Sequence, residues 1–287
     1  MTAAIFKPMD TTHAVYIGTI HKGPGLFSKI GEVPSVPSYT AKVGNKWSIA
    51  IAAFSEGIDI SKDLFDDDIH GEWMAQVSEF GIMARYTQDF NAFRIFRGAF
   101  TTTLTADGVS LVNTAHPLLG GSTTSNRVTA ALVGAATSVL TTTSLNSGMR
   151  LLAEMKSQAN VPLGCVGDTI VVPPALFVTA RQVTGSALVA ENGNNAVNVL
   201  SMDYGVAVYQ SVWMGSASPD GLGSDSAWFL LDSKRHSIMR FVRQELQTFL
   251  RPWGMSNNRT YNYQANFREE VYCPDYIGVV GSSGDAT

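Results

Sequence analysis

The first sustained pattern along the chain runs from Tyr39 to Ile60, YTAKVGNKWSIAIAAFSEGIDI, where Trp47, Ile49 and Ile51 alternate onto one face and Gly44 and Gly57 mark bends. The alternation predicts a two-stranded excursion, marginal on its own and in need of something to lean on. Residues 1–38 carry Pro8, Pro24, Pro34 and Pro37 among scattered glycines, hold no period for long, and read as an extended arm. At Ser61 the period lengthens. Phe65, Ile69, Trp73, Val77, Phe80 and Ala84 recur three and four apart, which predicts a helix from Ser61 to about Phe96 with Gly98 as its stop. Ser61 suits the N-cap, and Asp63, Asp66, Asp67 and Asp68 crowd the first turns, where the helix dipole favours negative charge. At 1.5 Å per residue such a helix runs about 50 Å, with Gly71 and Gly81 as places where it bends.

Beyond it, Ala99–Gly121 holds a turn at Asp107-Gly108 and ends in a His-Pro loop. A second helix is predicted over Ser144–Gln158, with Leu145, Met149, Leu152 and Met155 on one face. Thr169–Val172 reads as a strand, Pro173-Pro174 opens a helix, and 197–200, 206–212 and 228–231 read as strands. The tail from Ser237 to Glu270 alternates as a long hairpin, and Tyr276–Val280 reads as a last strand. Without repeats or low-complexity tracts, the class is α+β.

Composition sharpens this picture at one point. Hydrophobic residues make up 45% of the 287, which is ordinary, but Asp, Glu, Lys and Arg make up only 15%, against roughly 25% in typical soluble domains. Either much of the surface is buried against other copies, since interface centres are depleted of Lys, Glu and Asp, or the chain is a monomer with a Ser/Thr-rich surface; composition leaves both open. The net charge of −4 argues against a reader of nucleic acid that works by neutralising phosphates. Two cysteines, Cys165 and Cys273, cannot build a disulfide framework or a four-thiolate zinc site and are expected as reduced thiols. No apolar run approaches the roughly 20 residues of a membrane span, and Met1–Ile20 does not read as a secretory signal. A soluble, cytoplasmic protein is the expectation.

Candidate chemistry is thin. Asp66, Asp67 and Asp68 on consecutive helical positions point about 100° apart and do not converge on one ion, so they read as a helix start. His116 with Asp107 and Ser122 suggests a nucleophilic triad, but no nucleophile elbow accompanies it. His13, His21, His70, His116 and His236 show no metal-ligand spacing, and Gly221–Asp225 lacks the Lys-Ser/Thr of a phosphate loop. No residue is left to carry catalysis, a cofactor or a metal. Arg240 and Arg243, three apart on a predicted strand, point to opposite faces and favour pairing with carboxylates across subunits over a single DNA-binding stripe. Trp47, Phe54 and Trp253 supply large apolar area, for contact with another copy or for packing within their own subunit.

The order of segments carries a resemblance. Two stretches are the most specific: Asp107–Asn126, DGVSLVNTAHPLLGGSTTSN, where TAHPL precedes Ser125-Asn126, and Thr169–Gln182, where IVVPPAL opens a helix. With the arm, the excursion, the long helix and the β-rich tail around them, the chain from about Pro34 to Ser282 resembles the major capsid proteins of tailed bacteriophages, which have the Hong Kong 97-type fold. The resemblance implies an N-terminal arm (1–35), an extended loop (36–60), a peripheral domain with its spine helix (61–129), an axial domain (130–231) and a β-rich return to the peripheral domain (232–287). It implies self-assembly into hexamers and pentamers of an icosahedral virion shell that encloses double-stranded DNA without reading its sequence, with assembly in the host cytoplasm. A portal and a decoration protein are further implied partners. No coiled-coil segment precedes Pro34, which points to a separate scaffolding protein or to a processed chain. Lys42 and Lys46 lie where some relatives carry a cross-linking lysine, but no partner Asn can be matched, so they stand only as interface candidates. Two alternatives remain: an encapsulin-like nanocompartment shell, and a soluble hydrolase using His116 and a serine.

Overall fold

The computed structural model describes residues 5–23, 25–27, 29, 38, 40, 42–68, 71–118, 121–187, 197–198, 205–252 and 259–285. Its first elements depart from the unpatterned arm. Lys7–Asp10 forms β1, and Val15–Lys22 forms β2, whose sequence VYIGTIHK holds the β-branched and aromatic residues that fit a pleated strand. β2 pairs antiparallel with β3 (Lys42–Ala50), from Val15 opposite Ala50 to Lys22 opposite Lys42. Gly18 is required there, because a Cβ would run into the Trp47 indole. The excursion is therefore made by 15–22 with 42–50. The strand expected to close it, β4 (Ala52–Ser61), lies one residue further on and pairs instead with the tail.

The expected continuous helix from Ser61 is two helices. Ser61 Oγ accepts the Leu64 N–H at 3.2 Å and caps the short α1 (Lys62–Asp66). The Asp68 carboxylate then accepts the Glu72 and Trp73 N–H groups at 3.1 and 3.2 Å, and Gly71 takes a left-handed φ of 71°. The aspartate run thus caps a second helix, α2 (Glu72–Arg97), of 26 residues and about 39 Å. Gly81 passes through α2 without a break. Trp73, Val77, Phe80 and Ala84 are half-buried on the expected face, while Ile82, Met83 and Tyr86 on the opposite face are exposed. Only the last third, with Ala92, Phe93, Ile95 and Phe96, enters the core.

After a two-residue ladder between β5 (His116–Pro117) and β6 (Thr123–Thr124) come α3 (Ala130–Val133) and α4 (Thr142–Ala153). Thr141 and Ser144 cap α4 reciprocally. It stops five residues before the predicted end, but Leu145, Met149, Leu152 and Met155 are all buried. β7 (Thr169–Val172), α5 (Phe177–Gly185) behind the Pro-Pro turn, β8 (Ala207–Gln210), β9 (Trp228–Leu231), β10 (Met239–Arg251), β11 (Thr260–Tyr272) and β12 (Val279–Ser282) complete the chain. The strand expected at 197–200 lies partly outside the described residues, and no strand covers 197–198; the last strand starts at 279 rather than 276.

Two sheets organise these elements. The first has the order β1-β10-β11-β4, parallel only between β1 and β10, and α2 packs across β11. The second has the order β12-β9-β7-β8; β7, β9 and β12 are buried on both faces, which explains the unbroken apolar runs TIVV and WFLL, while the edge strand β8 is partly exposed. Ile170, Val172, Trp228, Leu230 and Val280 pack with Leu145, Leu152 and Ala180 of α4 and α5. Their neighbours Val171, Phe229, Leu231 and Val279 pack with Phe93 and Phe96 of α2. The mixed α+β class expected from the pattern is the class observed.

Candidate functional site

The residues that suggest catalysis do come together, but in the core. The Asp107-Gly108 turn, with Gly108 at φ 82°, brings Asp107 Oδ2 within 2.7 Å of His116 Nδ1. His116 Nε2 lies 3.1 Å from Asn126 Oδ1, not beside Ser122, whose carbonyl serves the Leu118 N–H. Asn126 is fully buried and uses every valence: Oδ1 also accepts the Asn113 N–H at 2.8 Å, and Nδ2 donates to the Leu111 and Val279 carbonyls at 2.7 and 3.0 Å. Those two donations fix the amide orientation, so both imidazole nitrogens face oxygens, Asp107 Oδ2 and Asn126 Oδ1. Tyr276 stacks on the ring at 4.1 Å. Burial alone would raise the Asp107 carboxyl, but hydrogen bonds from His116, Thr105 and the Val109 amide outweigh it and hold it below the usual range. With His116 sealed from solvent and no nucleophile on Nε2, this is a structural lock joining the 107–126 loop to β12. Among the described residues no cluster of His, Cys, Asp and Glu could hold a metal. No helix of the described residues is long and apolar enough to cross a membrane.

The excursion is the other candidate. Its base leans on the first sheet: Trp47, 8% exposed, sits among Tyr16, Phe241 and Tyr272 with ring centroids 5.2–5.9 Å away. The outward face of the β2–β3 pair exposes Val15, Ile17 and Val43. Beyond it, Leu26 is 83% and Phe27 95% exposed. These join the bare face of α2 as apolar surface a lone subunit leaves in water.

A sequence profile of phage capsid proteins matches residues 46–281. The chain belongs to the phage capsid protein family. No curated protein sequence matches this capsid protein, but its fold is similar to solved capsids. The capsid of bacteriophage JBD30, decorated with minor capsid protein trimers, aligns at 14% identity over 75% of this chain and 90% of that one, with a TM-score of 0.59. The cyanophage Pam1 capsid aligns at 18% over 98% and 89%, with a TM-score of 0.57, and the capsid of a native GTA particle at 14% over 99% and 89%, with a TM-score of 0.58. This family builds virion shells and is not one of enzymes, and the buried geometry of His116 agrees with that; the hydrolase alternative is set aside.

The remaining candidates of this capsid protein fall in three groups. Arg240 donates through Nε to Glu269 Oε2 at 2.9 Å, an oxygen that Gln88 Nε2 of α2 also approaches at 3.3 Å. The pairing expected across subunits is thus made inside one chain. Burial raises the Glu269 carboxyl, against which the Arg240 contacts act, and its Oε1 has no partner. Arg243 is exposed beside a register shift between Val242 and Gln244, so strict alternation does not set its face. Phe54 is half-buried and stacks on Phe267 at 4.9 Å, whereas Lys46 is exposed. The Lys42 side chain and Trp253 lie outside the described residues. Cys165 and Cys273 are free and buried; burial pushes both thiols up, Cys273 to about 12. Sequence reasoning missed Asn126 as the hub of the lock and Tyr16 as the partner of Trp47. The alternation Val15-Ile17 against Tyr16-Gly18 was the available signal for the second.

Proposed function

We propose that this protein is the major head subunit of a tailed phage, assembling as hexamers and pentamers into an icosahedral shell around double-stranded DNA in the host cytoplasm. The observation that carries the reading is the β2–β3 pair, whose outward face exposes Val15, Ile17 and Val43, in a chain of the capsid family. Residues 15–50 act as the extended loop that lies over a neighbouring copy, the first sheet with α2 as the peripheral domain, and 130–231 as the axial domain. Many overlapping contacts, each modest, add up in a closed shell. A scaffolding protein, a portal and a decoration protein belong to this reading as partners.

The test uses the pairing of Lys22 with Lys42. Replacing residues 23–41 by an Asn-Gly turn closes β2 onto β3 with the shortest hairpin connection. The expected product is a folded subunit that forms no stable shells by electron microscopy. Normal shells from this variant would refute the loop assignment, and a wild-type chain that never assembles would refute the function.

A further inference from the structure

A groove of about 560 Å³ opens between the middle of α2 and the segment that follows β8. Most of its lining is apolar, Tyr86 and Phe93 from α2 and Val212 and Trp213 from the other wall. Tyr86 and Trp213 meet edge to face with ring centroids 6.0 Å apart, and Tyr86 and Val212 are 48% and 58% exposed, so a small solute can enter. Cavities of this size and lining, with a few polar groups set into them, are the usual form of small-ligand sites.

Two polar groups of the lining lack a partner. Ser211 is 5% exposed, and its Oγ is buried without a hydrogen bond. Asp89 is half-buried, and among the described residues its carboxylate makes neither an ion pair nor a hydrogen bond. The cations around it are committed elsewhere. Arg85, one turn earlier on α2, bonds Gln88 at 3.1 Å, and Arg97, whose Nη1 donates to the Trp213 carbonyl, holds Asp220 through Nε at 2.6 Å. The charge of Asp89 instead bears on Glu269, another carboxylate. An uncompensated carboxylate beside aromatic rings is the chemistry that selects an organic cation, because ring faces attract an ammonium and the carboxylate pairs with it. We propose that the groove binds a small aliphatic amine in its ammonium form. Asp89 pairs with the ammonium, Ser211 Oγ accepts one of its N–H bonds, Tyr86 and Trp213 flank the charge, and Phe93 and Val212 cover the carbon chain. The site belongs to the single subunit and goes beyond shell building.

The test is calorimetric titration of the unassembled full-length subunit with pentylammonium, with pentanol as the uncharged match. The expected result is saturable binding of pentylammonium, with pentanol about tenfold weaker, and a loss of about tenfold in Asp89→Asn and severalfold in Tyr86→Leu. Absence of binding, equal binding of pentanol, or a full affinity in Asp89→Asn overturns the proposal. The pentanol comparison needs only the wild type and decides the matter should a variant fail to fold. The indole N–H resonance of Trp213, assigned through Trp213→Phe, is expected to move during the titration, and binding that leaves it in place refutes the groove as the site. Nα-acetyllysine amide tests the other source of the same group: tighter binding of this probe than of pentylammonium makes the occupant a lysine of a second polypeptide and overturns the small-amine assignment.

Discussion

Asn126→Ala tests whether the 107–126 loop is held by one side chain. The carboxamide meets four groups: the Asn113 N–H, His116 Nε2, and the Leu111 and Val279 carbonyls, at 2.7–3.1 Å. Alanine strands all four where Asn126 is fully buried. A stranded buried group costs roughly 1–3 kcal/mol. We take the low end, because the vacated space is polar enough for a water to recover part of the bonding, and expect a loss of about 4 kcal/mol. That is a large part of the roughly 5–15 kcal/mol that holds a domain folded. The assay is urea unfolding of the unassembled subunit, followed by fluorescence of its tryptophans, with the slope checked for constancy. Ser125→Ala, whose hydroxyl serves only the Arg127 backbone nearby, is the control and is expected to stay within about 0.5 kcal/mol. Asn126→Asp keeps the acceptor but sets a carboxylate oxygen against two carbonyls, so it is expected to be as damaging as alanine. A loss below about 1 kcal/mol for Asn126→Ala would refute the reasoning.

Two further outcomes follow from buried charge. Arg240→Ala leaves the Glu269 carboxylate buried without its cation and is expected to cost about 3–5 kcal/mol at neutral pH; because burial already raises this carboxyl, thermal melts should show the deficit shrinking as pH falls and Glu269 takes up a proton, and a deficit independent of pH would contradict this. His236 is buried, accepts the Ile238 N–H on Nδ1 at 3.3 Å, and is pulled by burial down to about 4; the folded state therefore binds fewer protons than the unfolded one between about pH 4 and 6.5, and stability rises with pH there. Burial pushes Asp275 up to about 6, so the folded state keeps a proton the unfolded one loses, and stability falls as pH rises from about 4 to 6. The two slopes oppose. Unfolding free energy of Asp275→Asn should rise across that window and that of His236→Gln should fall, each by up to about 3 kcal/mol, and slopes of the same sign in both variants would sink the assignment.

The strongest sequence signals were those in which one local rule dominated. TIVV and WFLL are strands where they were expected, because strands buried on both faces need unbroken apolar runs. The apolar stripe of α4 marked its buried residues even though the helix ends early, since burial continues past the last helical turn to Met155. The aspartates after Ser61 did signal a helix start, but periodicity alone does not say which of several capping residues begins which helix. Pairing partners were the least legible. β4 has the same pattern whether it turns back on β3 or joins β11, and only the tertiary fold decides between them. The lock around His116 was visible as a specific stretch of sequence, and its geometry shows why: Asp107, His116 and Asn126 satisfy one another, a requirement of packing that reads as chemistry until burial is known.

A single residue, Ile51, separates β3 from β4. On that side the loop has no slack. A pull at its outer end cannot be absorbed by a linker; it must bend the β2–β3 pair or shear β4 along β11, where ten residue pairs from Thr260–Ser61 to Glu269–Ala52 resist together. The loop is therefore a stiff lever with its fulcrum at Ile51, and load applied by a neighbouring molecule is delivered to the longest sheet of the subunit.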